Sequence, residues 1–193
     1  VTGLASGTTL MLFDGSPFFP DPGVLFRYAE ECNWKVFGTS AKFLAALEKA
    51  GVKPKEDYNL SSLGAVLSTG SPLSEASFEY VYRDIKEDVH LASLSGGTDL
   101  VSCFVLGTPT LPVYTEEIQC RGLGMAVDAY DDNAQPIRGE KGELVCARSF
   151  PSHPIYFWND PDNARYRAAY FEFFENIWRH GDFVEITERD GII

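Results

Sequence analysis

No run of apolar residues in this sequence approaches the roughly 20 needed to cross a bilayer, and no basic opening followed by an apolar stretch suggests a signal peptide. Membrane insertion is not expected, and a soluble, cytosolic protein is. Positive charge is also scarce: 16 Lys and Arg stand against 28 Asp and Glu, a formal net charge of −12. A nucleic-acid partner needs a basic face to neutralise phosphates, so none is expected, and any polyanionic ligand must be held locally. Cysteine is sparse too. Cys32, Cys103, Cys120 and Cys146 show no short paired spacing, which argues against a zinc site or a disulfide framework and for reduced, mostly buried thiols. Internal repeats and low-complexity linkers are missing.

What remains is ordinary globular sequence. At 193 residues, with 45% hydrophobic and 23% charged residues, the chain can bury a real core of one or two domains. Its first half alternates strand-like and helix-like segments. An apolar run at residues 8–13 ends at Asp14-Gly15. Asp21 and Pro22 signal a helix start that places Leu25, Tyr28, Ala29 and Cys32 on one face. Residues 34–37 read as a strand; Ser40 caps a helix with Phe43, Leu44 and Leu47 inward, and Gly51 ends it. Residues 65–69 repeat the strand, Gly70-Ser71-Pro72 turns the chain, and Ser74 opens a helix presenting Phe78, Val81, Tyr82 and Ile85. Residues 90–95 follow as a strand. Strands separated by helices imply an α/β fold with right-handed crossovers and a largely parallel sheet.

Past Phe104 the pattern changes to short strands broken by Gly, Pro and Asp-Asp-Asn turns, as at 125–130 and 143–146. The expectation is an α/β subdomain over 1–104 and a small β-rich, barrel-like subdomain over 105–193. One helix interrupts the second, opening at Asp160-Pro161 and reaching Phe174, and residues 183–193 read as a hairpin turning at Arg189-Asp190-Gly191. With no initial Met and an ending just past that turn, the chain reads as an internal segment of a longer enzyme.

Three turns lie where α/β sheets bind ligands, at the carboxyl ends of strands. Ser68-Thr69-Gly70-Ser71-Pro72 lets backbone approach a planar ligand closely, although alone it is only a strand-to-helix turn. Ser95-Gly96-Gly97-Thr98-Asp99 offers two flexible glycines, a hydroxyl and a carboxylate, a usable corner for phosphate and magnesium. In Arg179-His180-Gly181-Asp182, Asp182 suits two ribose hydroxyls, while a solvated turn residue is the plainer reading of any such Asp.

Taken in order, with Gly139-Glu140-Lys141-Gly142-Glu143-Leu144 between the last two and Leu12-Phe13-Asp14-Gly15-Ser16-Pro17 near the start, these turns resemble the adenylate-forming superfamily over essentially the whole chain. Within it, Phe157-Trp158-Asn159-Asp160, the Tyr166 to Phe171 stretch and Ile177 to Asp182 resemble the acetoacetyl-CoA synthetases. The resemblance implies an ATP-dependent acid-thiol ligase using acetoacetate, ATP, CoA and Mg2+. It implies that Gly70, Ser71 and Pro72 border adenine, and that Ser93, Leu94, Ser95, Gly96, Gly97 and Thr98 wrap adenine and the α-phosphate. Thr98 would contact phosphate and acyl carboxylate as the catalytic hydroxyl, Asp99 would hold magnesium in place of the usual Glu, and Asp182 would bind the ribose. Ser95 stands where many relatives stack an aromatic ring on adenine, a contact worth about 1 to 3 kcal/mol. Gly96 replaces the Trp that closes the acyl pocket of acetyl-CoA synthetases, so a longer acid than acetate is implied, with Thr69 lining the same pocket and Gly96→Trp expected to exclude acetoacetate selectively. Phe18 matches a position near CoA, with plain packing the preferred reading, and packing or capping is likewise preferred for His180. The family's phosphate loop and adenylation lysine would have to come from other parts of the same polypeptide, before Val1 and after Ile193. A synthetase for another short or medium acid and a non-catalytic module are the competing readings.

Overall fold

A computed structural model describes residues 2–193, which form two compact units that divide between Ser93 and Leu94. The first opens with a short helix α1 (Thr2–Ala5) and continues as α2 (Val24–Glu31), β1 (Val36–Ser40), α3 (Ala41–Lys49), α4 (Pro54–Asp57), β2 (Ala65–Thr69), α5 (Glu75–Tyr80) and β3 (His90–Ser93). The three strands form one parallel sheet in the order β1-β2-β3. Strand β2 occupies the residues expected of it, because a buried apolar run bounded by Gly64 and Gly70 leaves little freedom in register.

Capping fixes the helices. The Ser40 hydroxyl accepts the Phe43 N–H at 3.2 Å and the Ser74 hydroxyl accepts the Ser77 N–H at 3.3 Å, each satisfying a donor that an uncapped first turn would leave unpaired. Gly51, at φ +68°, ends the third helix in the left-handed conformation glycine adopts without strain. Helix α3 buries Ala41, Phe43, Leu44 and Leu47. Leu44, Leu47, Val66, Val81 and Ile85 are wholly enclosed, and each such aliphatic contributes about 1.5 to 3 kcal/mol.

Several expectations move. Residues 8–13 form no regular element: Leu12 is 87% exposed, and no strand among the described residues takes up their backbone groups. Helix α2 starts at Val24 rather than at Pro22, because Asp21 turns its carboxylate to the Gly23 N–H at 2.9 Å and to Arg27 at 2.6 Å. Cys32 is exposed at the end of that helix instead of facing inward. After Tyr80 the helix widens into a π-helical turn, Val81–Ile85, which still buries Val81 and Ile85 but leaves Tyr82 half-buried. Phe18 packs its ring on Phe43, centroids 5.4 Å apart.

The second unit contains β4 (Ser95–Gly97), β5 (Ser102–Leu106), β6 (Cys120–Arg121), β7 (Val127–Tyr130), β8 (Lys141–Cys146), α6 (Ala164–Tyr170) and β9 (Trp178–Glu185). These strands make two antiparallel sheets, β4-β5-β6 and β7-β8-β9. The units divide at Ser93/Leu94 rather than after Phe104, since β4 pairs with β5 and thereby joins the antiparallel half. One core, including Leu100, Phe104, Val127, Leu144, Trp178 and Ile186, underlies both sheets. The interrupting helix begins four residues later than Asp160, yet Asp160 does cap it: its carboxylate accepts the Arg165 N–H at 3.1 Å and the Tyr166 N–H at 2.9 Å. The terminal hairpin closes as expected, with the Thr187 N–H bonded to the Gly191 carbonyl at 2.9 Å.

Burial sets one pH dependence in the first unit. Tyr80, which donates to the Val52 carbonyl at 2.8 Å, has its phenol pushed well up by burial and then by the Asp84 charge; burial pushes Tyr82 up as well. A raised folded-state pKa gives stability that is complete below the unfolded value, about 10 for tyrosine, and lost as pH rises beyond it. The thermal midpoint should therefore hold up to about pH 10 and fall progressively as the pH is raised above it, and Tyr80→Phe should flatten part of the fall. A midpoint equally steep in the variant would contradict this.

Candidate functional site

In the first unit the expected residues gather at the carboxyl ends of the parallel strands. Thr69 is the last residue of β2, paired with Ser40, and Gly70 follows at φ +86°, a conformation that allows the immediate turn into Ser71 and Pro72. Thr69, Gly70 and Pro72 are exposed and Ser71 half-exposed, so the turn presents backbone and small side chains to solvent. Ser93 closes β3 opposite Ser68, itself paired with Thr39. A row of three hydroxyl residues thus crosses the sheet, and the buried Ser68 hydroxyl has no protein partner.

In the second unit Leu94 leads into β4, whose Ser95, Gly96 and Gly97 are half-buried against β5 with a bulge between Ser95 and Gly96. The strand crossing explains Gly96. A Cβ there would lie 2.2 Å from the Ser102 carbonyl oxygen and 2.6 Å from the Cys103 Cα. Glycine is required because two backbones touch, so the expectation that a large side chain at Gly96 would act only on an acyl group does not hold: it would first have to separate β4 from β5.

Thr98 and Asp99 sit exposed on the turn joining these strands. The sequence reading missed the partner of Asp99. Its carboxylate accepts a short hydrogen bond from the Tyr170 hydroxyl at the end of α6, and the Tyr170 ring lies flat on the buried Trp178, centroids 3.6 Å apart and planes 14° from parallel. Burial, reinforced by the bond to Asp99, pushes the Tyr170 phenol far up, so it stays a donor. The only available signal was the aromatic-rich stretch around it.

Asp182 is set by an irregularity in the sheet. Glu143 pairs with Phe183 and Val145 with Arg179, so β9 spends four residues where β8 spends two, and His180, Gly181 and Asp182 bulge outward. Asp182 is exposed, with its carboxylate 3.6 Å from His180 Nε2. The His180 ring packs edge-on against Phe104 at 4.8 Å, the packing role expected of it. Phe104 also meets Trp178 at 6.0 Å, so a single aromatic cluster backs both the Asp99 turn and the Asp182 bulge.

Three comparisons with known proteins bear on this geometry. No family model matches the chain. A curated acetoacetyl-coenzyme A synthetase from Rhizobium meliloti is 60% identical over 192 residues, and that from Gallus gallus is 49% identical over 191. This chain is homologous to a segment of the acetoacetyl-CoA synthetases. It is covered in full or to 99%, while spanning about 30% of the length of these curated relatives. The solved acetoacetyl-CoA synthetase from Streptomyces lividans superposes with a TM-score of 0.93 at 44% identity, over 100% of this chain and 30% of the other. An anthranilate CoA ligase solved with anthranoyl-AMP shares the fold alone, with a TM-score of 0.77 at 18% identity over 96% of this chain and 34% of its own. The mixed architecture, a parallel sheet with flanking helices followed by antiparallel sheets, is thus that of adenylate-forming enzymes.

Proposed function

We propose that these residues supply part of the nucleotide and acyl sites of an ATP-dependent acetoacetate-CoA ligase. The observation that carries the reading is identity of 60% over essentially the whole chain to an acetoacetyl-coenzyme A synthetase; the Thr98-Asp99 turn and the Asp182 bulge both face solvent and support it. In the reaction, an acetoacetate carboxylate oxygen attacks the α-phosphorus of ATP, the bond to pyrophosphate breaks, and an acyl-adenylate forms. CoA sulfur then attacks the acyl carbon, AMP leaves, and the thiol proton passes to solvent.

This chain contributes mainly position. Asp182 accepts the two ribose hydroxyls, and the Gly70-Ser71-Pro72 turn with Ser93, Leu94, Ser95 and Gly97 borders adenine. Thr98 donates to the α-phosphate and to the acyl carboxylate, while Thr69 and the Gly96 backbone border the acyl group. Among the described residues no group of three or more His, Cys, Asp or Glu could hold a metal ion. A lone Asp99 carboxylate fits Mg2+ carried on the nucleotide phosphates, because that ion keeps most of its waters and takes one or two protein carboxylates. When bound, Mg2+ offsets charge on those phosphates. Among the described residues no helix is long and apolar enough to cross a membrane, and a cytosolic location fits the free thiols of Cys32, Cys103, Cys120 and Cys146.

Two experiments test the reading. A panel of short and medium acids given to the full-length ligase should show acetoacetate used best, with acetate poor; a different best acid would move the assignment to another synthetase. The 193-residue chain alone should catalyse no acetoacetate-dependent pyrophosphate exchange, since its expected site residues bring no cation to the transferring phosphate. Measurable exchange by the chain alone would refute that division of labour.

A further inference from the structure

We infer that Glu143 is a positioning residue for nucleotide binding: it holds the Arg179 to Asp182 bulge in the shape that presents Asp182 to the ribose. The inference rests on the nucleotide reading given above and deepens it.

The bulge has a structural deficit. Two residues of β9 lie beyond the register of β8, so their backbone groups lose the ladder partners a regular strand would give. Glu143 fills that place. Only 4% exposed, it directs Oε1 to the Gly181 N–H at 2.9 Å and Oε2 to the Arg179 guanidinium at 3.0 Å. One carboxylate therefore clamps both ends of the turn that precedes Asp182. Gly181, at φ +93°, adopts the left-handed backbone that the corner needs, and Arg179 is further held by lying 4.4 Å over the Phe173 ring. Among the described residues the Asp182 carboxylate has a single polar side-chain partner, His180 at 3.6 Å. Its direction is therefore inherited from the residues before it. A buried carboxylate is costly unless its oxygens are satisfied, and here both are spent on this corner.

The test separates positioning from general stability by reading a ratio. In the full-length ligase, Asp182 accepting both ribose hydroxyls makes ATP preferred over 2′-deoxy-ATP in kcat/KM. Asp182→Ala should cut that preference about tenfold, through loss of a charge-assisted bond. Glu143→Gln keeps the shape of the side chain but withdraws the charge from Arg179 and the stronger acceptor from Gly181, and should cut the preference about threefold to tenfold, mainly through KM for ATP. Arg179→Gln, which changes the more exposed partner of the Glu143–Arg179 pair, should act in the same direction and decides the matter if Glu143→Gln does not fold. A merely structural role would lower both nucleotides alike and leave the ratio at its parent value. An unchanged ratio in the folded Glu143 variant, with Asp182→Ala showing the loss, would overturn this inference alone. An unchanged ratio in Asp182→Ala would overturn the ribose assignment and this inference with it.

Discussion

Asp182→Ala in the full-length ligase should weaken ATP by about tenfold to a hundredfold, the equivalent of about 1.5 to 3 kcal/mol. The size of the effect follows from charge. An ionised carboxylate accepting two hydroxyls makes bonds about twice as strong as neutral ones, and the residue stands on an outward bulge where no other acid among the bulge residues can replace it. Because Asp182 is exposed and its carboxylate has, among the described residues, His180 as its one polar partner, its removal should leave thermal stability nearly unchanged. Titration of ATP dependence beside a melting curve checks both halves. An ATP dependence equal to that of the parent would remove Asp182 from the nucleotide site.

Gly96→Trp should lower acetoacetate and acetate turnover by the same factor, at least about tenfold, together with a loss of stability. Family resemblance suggested a selective effect, in which indole fills the acyl path and acetate survives. The strand geometry changes that expectation: even a single Cβ would meet the Ser102 carbonyl oxygen at 2.2 Å, and both atoms of that contact belong to strands fixed by pairing. Gly96→Ala should therefore already destabilise the protein, which a pocket-facing Gly would not require. Parallel assays with the two acids, plus unfolding of the Ala variant, decide between them. Acetate turnover retained in Gly96→Trp while acetoacetate is lost would show that the side chain does reach the acyl group.

What could be read in the sequence was what short-range chemistry determines. The Ser40 and Ser74 caps, the glycine end at Gly51 and the final hairpin each depend on residues within a few positions, and each is found where expected; the apolar run at Ala65–Thr69 is a strand because β1 and β3 supply its ladder on both sides. Residues 8–13 misled because an apolar run becomes a strand only when a neighbour supplies its ladder. The candidate site divides the same way. Its turns were visible as Gly-Ser-Pro, Gly-Gly-Thr-Asp and Gly-Asp, but the groups that orient them were not. Tyr170 lies 71 residues from Asp99, and Glu143 lies 38 from Gly181; at such separations only the folded sheet brings the partners together. The register shift of β9 opposite Glu143 likewise leaves no mark in composition or spacing.

Acid activation through an acyl-adenylate is the central claim, and the fate of the carboxylate oxygen tests it most directly. Acetoacetate labelled with oxygen-18 in its carboxylate should be turned over by the full-length ligase with ATP and CoA, and the nucleotide product examined by mass spectrometry. Attack on the α-phosphorus predicts AMP carrying one labelled oxygen for each acetoacetyl-CoA formed. Unlabelled AMP, or label in inorganic phosphate with ADP as the nucleotide product, would contradict it.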